Sequence, residues 1–156
     1  MEPSIESAKK YIEEIDFTPL IDKMVMYLGW MRKDAEDTAH YYRNFLWLAK
    51  KARHGHFDDA PETLKPIPAS YDVDEFWHMH ILDTRKYMED CNAIFGTYLH
   101  HYPYLGIDGK STLADSAEAF EDMQKSHFAE FGEIIPATRS RFHPAIYTVL
   151  KTLKRN

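Results

Sequence analysis

Apolar residues recur at three- and four-residue intervals along most of the chain, the period of a helix with one buried face. Ser4 can cap a first helix carrying Ile5, Ala8, Ile12 and Ile15. Thr18-Pro19 reads as a cap followed by a first-turn proline, opening a second helix with Leu20, Ile21, Met24, Val25 and Leu28 that stops near Gly29. Asp34 can cap a third, with its stripe at Ala35, Ala39, Tyr42, Phe45, Leu46, Ala49 and Ala52 and its end at Gly55. A fourth begins near Asp72 or Asp74 and is expected to run unbroken to about Phe95, with Gly96 as its stop. Ser111 is expected to cap a fifth, through Phe131 to Gly132. Pro144 starts a sixth, with Ile146, Val149, Leu150 and Leu153. No segment shows convincing β-branched alternation.

The expectation is an all-α, single-domain bundle of five or six helices over residues 1–156, with the fourth central. Two long loops interrupt it. Residues 54–70 hold Pro61, Pro66 and Pro68, and residues 97–110 hold His100, His101 and Pro103.

Composition removes several function classes. A formal net charge of −6 argues against a nucleic-acid partner, because phosphate contacts need clustered Lys and Arg. The basic residues Lys151, Lys154 and Arg155 are most simply favourable charge at a helix C-terminus. No apolar run reaches the roughly 18 to 20 residues that span a bilayer, and Met1–Asp16 has no signal-peptide core, so a cytoplasmic protein without a membrane partner is expected. The single cysteine, Cys91, rules out an internal disulfide and any Cys-rich zinc motif and reads as a small buried hydrophobe.

Nine histidines direct attention to residues 74–101. At about 100° per residue, Phe76, Trp77, Ile81 and Tyr87 share one broad face with His80 near its middle. His78 lies about 200° from His80, so the two cannot easily chelate one ion on a regular helix. Either the helix is distorted or the two have separate jobs. Asp74 and His78, four apart, can form a carboxylate–histidine pair. His80 faces the interior, where bundles build metal sites, although a core histidine bonded to Thr84 or a carbonyl is the plainer alternative. Of His100 and His101, neighbours in an extended loop, one is expected to face the site.

The candidate metal ligands are therefore His78, His80, His100, His101 and Asp74. Asp83 and Tyr87 are the candidate catalytic groups, Tyr87 as a proton donor, though a solvated carboxylate and core packing are the simpler readings. Asp74 can equally be a helix cap, and Asp90 reads as a solvated carboxylate. Trp77, Tyr98, Tyr102 and Tyr104 can shield the site and stack a flat substrate. His127 reads as a satisfied core histidine, and His40 as exposed.

The run Val73-Asp74-Glu75-Phe76-Trp77-His78-x-His80-Ile81-Leu82-Asp83-Thr84, then Tyr87, Asp90-Cys91, Phe95-Gly96 and Leu99-His100-His101-x-Pro103-Tyr104, resembles the glycine-rich domain-containing protein-like family, its small bacterial members above all. The resemblance covers about residues 35–135. It marks Asp74, Trp77, His78, His80, Asp83, Tyr87, Asp90, Cys91, His100 and His101 as the site and implies no settled reaction. With six Gly, the chain reads as the core unit without the glycine-rich tail of plant members.

Two to three imidazoles with one or two carboxylates suit iron or copper, with zinc possible, and are too nitrogen-rich for magnesium or calcium. The expected function is a metal-dependent enzyme, with oxidative modification of a small molecule or peptide as its reaction. One alternative is a non-catalytic binding or interaction module with structural histidines and a tyrosine-lined partner groove. The other is a metal-assisted hydrolase.

Overall fold

A computed structural model describes residues 1–54 and 68–136. Six helices follow one another: α1 (Ile5–Glu14), α2 (Thr18–Leu28), α3 (Arg32–Arg53), α4 (Tyr71–Leu82), α5 (Thr84–Phe95) and α6 (Leu113–Phe131). The architecture is all-α, with no sheet among the described residues. No helix among them is long and apolar enough to cross a membrane. The helix expected from Pro144 and the stop expected at Gly55 lie outside the described residues.

Helix ends follow local chemistry where the sequence carries a signature. The Ser4 side chain accepts from the Ser7 amide, and Gly29, Gly96 and Gly132 close α2, α5 and α6 in the left-handed region, φ 70–72°. Three starts differ from expectation. Thr18 lies inside α2, because Asp16 takes its amide from outside the helix. Asp34 sits in the first turn of α3 behind Met31, where a carboxylate favours the helix dipole without capping. Thr112, not Ser111, caps α6 in a reciprocal capping box with Asp115, while Ser111 is held in the preceding loop by Asp108.

The largest correction concerns the fourth helix. It is two helices, broken at Asp83 (φ −82°, ψ 73°). Asp83 ends α4 and begins α5, its carboxylate accepting from the Lys86 amide at 3.4 Å. A short carboxylate offers the backbone an alternative partner in mid-helix. No Gly or Pro marks the break, so periodicity alone ran through it. The hub is also α3 and not α4: α3 packs on α1, α2, α4 and α6. Its stripe supplies Ala35, Ala39, Tyr42, Phe45, Leu46 and Ala49 to a buried cluster that draws on all six helices.

Candidate metal centre

The second half of α4 and the loop after α5 meet at the edge of this cluster. Ser70 caps α4, which leaves Asp74 free of that duty and one turn below His78. The loop is fixed by Leu99, whose side chain is buried and whose carbonyl accepts from the Tyr87 hydroxyl at 2.5 Å. In extended chain alternate residues face the same side, so His101 follows Leu99 inward while His100 points out. The His101 ring settles 4.4 Å from the Trp77 ring, and the Trp77 indole N–H donates to Tyr87 at 2.8 Å.

Three ligand-type groups thereby converge. His101 Nε2 lies 2.7 Å from Asp74 Oδ1, and His78 Nε2 lies 3.2 Å from Asp74 Oδ2. The two Nε2 atoms face each other at 3.1 Å. One ligand atom from each residue can be chosen so that all lie within 4.8 Å of one another. Their side chains are 36%, 42% and 14% exposed for Asp74, His78 and His101, so the cluster sits in the wall with an open outer side. Glu75 Oε1 lies 3.7 Å from His78 Nδ1, placed to hold the ring with Nε2 turned toward the cluster.

Two imidazole nitrogens facing one another need something positive between them, a proton or a metal ion. Separations of 2.7–3.2 Å are those of hydrogen bonds and lie near those between neighbouring ligand atoms of a metal. With metal–ligand bonds of about 2.1 Å, neighbouring ligand atoms lie about 3.0 Å apart on an octahedral face and about 3.4 Å apart in a tetrahedron. The 2.7 and 3.2 Å separations run to different Asp74 oxygens, so the distances define a cluster of ligand-type atoms and not one coordination face. The donor set is two histidines and one carboxylate.

His80, only two residues from His78, belongs to a separate cluster. It is 1% exposed, and both ring nitrogens are engaged, Nδ1 with the Tyr42 hydroxyl at 2.9 Å and Nε2 with Asp90 Oδ2 at 2.8 Å. Asp90 also accepts from Tyr11 at 2.7 Å and pairs with Lys86 at 3.2 Å. Burial pushes the Asp90 carboxyl up, but the hydrogen bonds from His80 and Tyr11 and the Lys86 charge outweigh it and leave its pKa below the usual value. Tyr11 is pushed up to about 12 by burial and then by Asp90. With both nitrogens taken, His80 has no lone pair for the metal cluster. The structure thus places Asp90 in the core, away from the solvent expected for it.

The remaining candidates lie apart from the triad. His100 is exposed, its ring 4.9 Å from that of Tyr98. Asp83 is an exposed helix junction. Tyr87 is buried, with its hydroxyl bonded to Trp77 and Leu99, and burial raises its pKa far above the usual tyrosine value. Tyr98 packs edge-on against Tyr87, and Tyr102 and Tyr104 are exposed, with the Tyr102 hydroxyl donating to Asp108. Cys91 is buried, its thiol pushed up to about 11 by desolvation. His127 is fully buried, bonded to Asn44 and to the Glu133 carbonyl. His40 pairs with Glu133 at the surface.

Sequence reasoning missed Glu75, Tyr42 and Tyr11. The three-residue spacing of Glu75 and His78 was a usable signal. Tyr42 and Tyr11 come from other helices, and no local pattern joins them to His80.

Among known proteins, a family model described as UCP032817-like matches residues 7–120. No curated protein and no solved structure matches the chain.

Proposed function

The chain belongs to the UCP032817-like family, and from that premise we propose that it is a metal-dependent enzyme of the cytoplasm whose centre is Asp74, His78 and His101. The observation that supports this reading is the convergence of two imidazole nitrogens and a carboxylate at 2.7–3.2 Å with one side open. Two histidines and one carboxylate, with further positions open to solvent, suit iron(II) before copper or zinc. Such an ion would supply oxidative chemistry on a small molecule or peptide. His78 and His101 would hold it as neutral imidazoles, Asp74 would offset its charge, and Trp77 would fix the plane of His101. The tryptophan–histidine and His100-His101 motifs also resemble the glycine-rich domain-containing protein-like family, a reading carried by those residues alone.

The test is metal content of untagged protein reconstituted anaerobically with iron(II), copper(II) or zinc(II). About one equivalent of iron is expected, lost on His101→Ala with helical circular dichroism intact and retained on His100→Ala. Dioxygen uptake by the iron-loaded protein, given a reductant, tests the oxidative part. Wild type that holds none of the three metals above background overturns the reading.

A further inference from the structure

Among the described residues, little covers α6. Of its 19 residues only Met123 and His127 are buried, while Leu113 is 74% and Phe128 58% exposed. A helix of this length in a folded domain normally hides a full stripe. Between α6 and α3 lies a groove of about 980 Å³, with Leu48 and Ala52 on one wall and Ala119 and Met123 on the other. Its rim is acidic: Asp115, Glu118 and Asp122 stand along α6. Glu130 also lines it, but its charge is already matched by Lys51. Asp122 holds Lys125 at 3.1 Å, and that hydrogen bond first, then the Asp122, Glu121 and Glu118 charges, raise the Lys125 pKa.

The described chain ends beside this groove. Pro136 lines a neighbouring cavity with Leu113, Ser116 and Phe120 of α6 and with Pro68, which also lines the groove. The twenty residues beyond it carry Arg139, Arg141, Lys151, Lys154 and Arg155 and no Asp or Glu. Ile146, Val149, Leu150 and Leu153 recur there at helical spacing. From Pro136 to Pro144 the chain can reach roughly 27 Å. Twelve residues as a helix are about 18 Å long, within the roughly 28 Å of α6.

We propose that the basic, amphipathic C-terminal segment of this same chain docks in the acidic groove between α3 and α6, with its apolar residues on Ala52, Ala119 and Met123 and its cations along the α6 carboxylates. The other stretch outside the described residues, 55–67, carries Asp58, Asp59 and Glu62 against Lys65, the same sign as the groove. The proposal is independent of the metal centre.

Full-length protein with Ala119→Cys and Leu150→Cys tests it, with Leu153→Cys as a second partner; the native Cys91 is buried. Mild oxidation is expected to give an intramolecular disulfide in the monomer for at least one pair. Hydrogen exchange supplies the second readout. In Glu118→Gln/Asp122→Asn, amides of residues 144–155 are expected to exchange at least tenfold faster than in wild type, with α3 unchanged. Disulfides formed only between chains would seat a second copy in the groove and overturn the proposal. So would wild-type C-terminal amides that exchange at free-peptide rates, or rates that the groove substitutions leave unchanged.

Discussion

His78 and His80 are two residues apart on one helix and live in opposite worlds. His80 is 1% exposed, with a hydroxyl on one nitrogen and a carboxylate on the other. The His78 side chain is 42% exposed and faces a second imidazole across 3.1 Å. Every polar atom of the inner cluster has a protein partner. The outer cluster concentrates lone pairs on one point and leaves a side open. A closed network rigidifies the core, whereas an under-filled one is where a ligand gains most. Chemistry of one residue type is thus set by which face of α4 it falls on.

The comparison breaks most sharply at the inner cluster. His80→Ala removes a partner from the buried Asp90 carboxylate and another from the Tyr42 hydroxyl. Leaving a buried carboxylate and a buried hydroxyl each one hydrogen bond short costs about 1–3 kcal/mol, and the emptied ring volume adds to it. Urea denaturation is expected to show a loss of that size, with metal content per folded molecule unchanged. A loss under about 1 kcal/mol would mean the inner network does not hold the core.

The outer cluster is expected to give the mirror image. His101→Ala should lower iron(II) affinity more than about 100-fold, since even an outer partner of a ligand is worth 10–100-fold. Without metal its stability should change by about 1 kcal/mol or less, the ring being a rim contact on Trp77. Titration calorimetry and apo-protein denaturation read the two quantities separately. A large apo destabilisation would make His101 a structural residue like His80. Glu75→Gln sharpens the same point at lower amplitude. It should weaken iron by up to about tenfold, because Glu75 only orients the His78 ring from 3.7 Å. Unchanged affinity would remove Glu75 from the site.

What could be read in advance divides along the same line. The Asp74–His78 pair follows from four-residue spacing, and the opposition of His78 and His80 from the helical turn alone. The choice of one histidine from His100-His101 follows from extended-chain alternation, though which one depends on Leu99 being the buried anchor. The inner cluster was illegible for two physical reasons. Tyr42 and Tyr11 reach His80 and Asp90 only through packing of α3 and α1. The phase between His80 and Asp90 is set by the break at Asp83, which no Gly or Pro announces. The C-termini of α2, α5 and α6 were legible because left-handed glycines mark them, whereas the helix count was not, since Asp83 divides the expected fourth helix in two. The starts at Phe17 and Met31 have no side-chain cap to read.

The smallest expected effect separates the clusters by pH. The folded-state pKa of Asp90 lies below its ordinary value, with burial opposed and outweighed by His80, Tyr11 and Lys86. An unfolded aspartate takes up its proton near pH 3.9. Below that point the unfolded chain binds a proton that the folded chain refuses, so acid favours unfolding. The stabilisation from Asp90 is complete above about pH 5 and fades as pH falls through 3.9 toward the folded pKa. Asp90→Asn removes that proton difference. Its stability at pH 6 should be lower than wild type, but its further loss between pH 5 and pH 3 should be smaller. Denaturant midpoints measured across that range at constant ionic strength decide the matter. Parallel losses in the two proteins would show that Asp90 does not hold its charge for the folded state, and would remove the electrostatic part of the contrast between the inner and outer histidines.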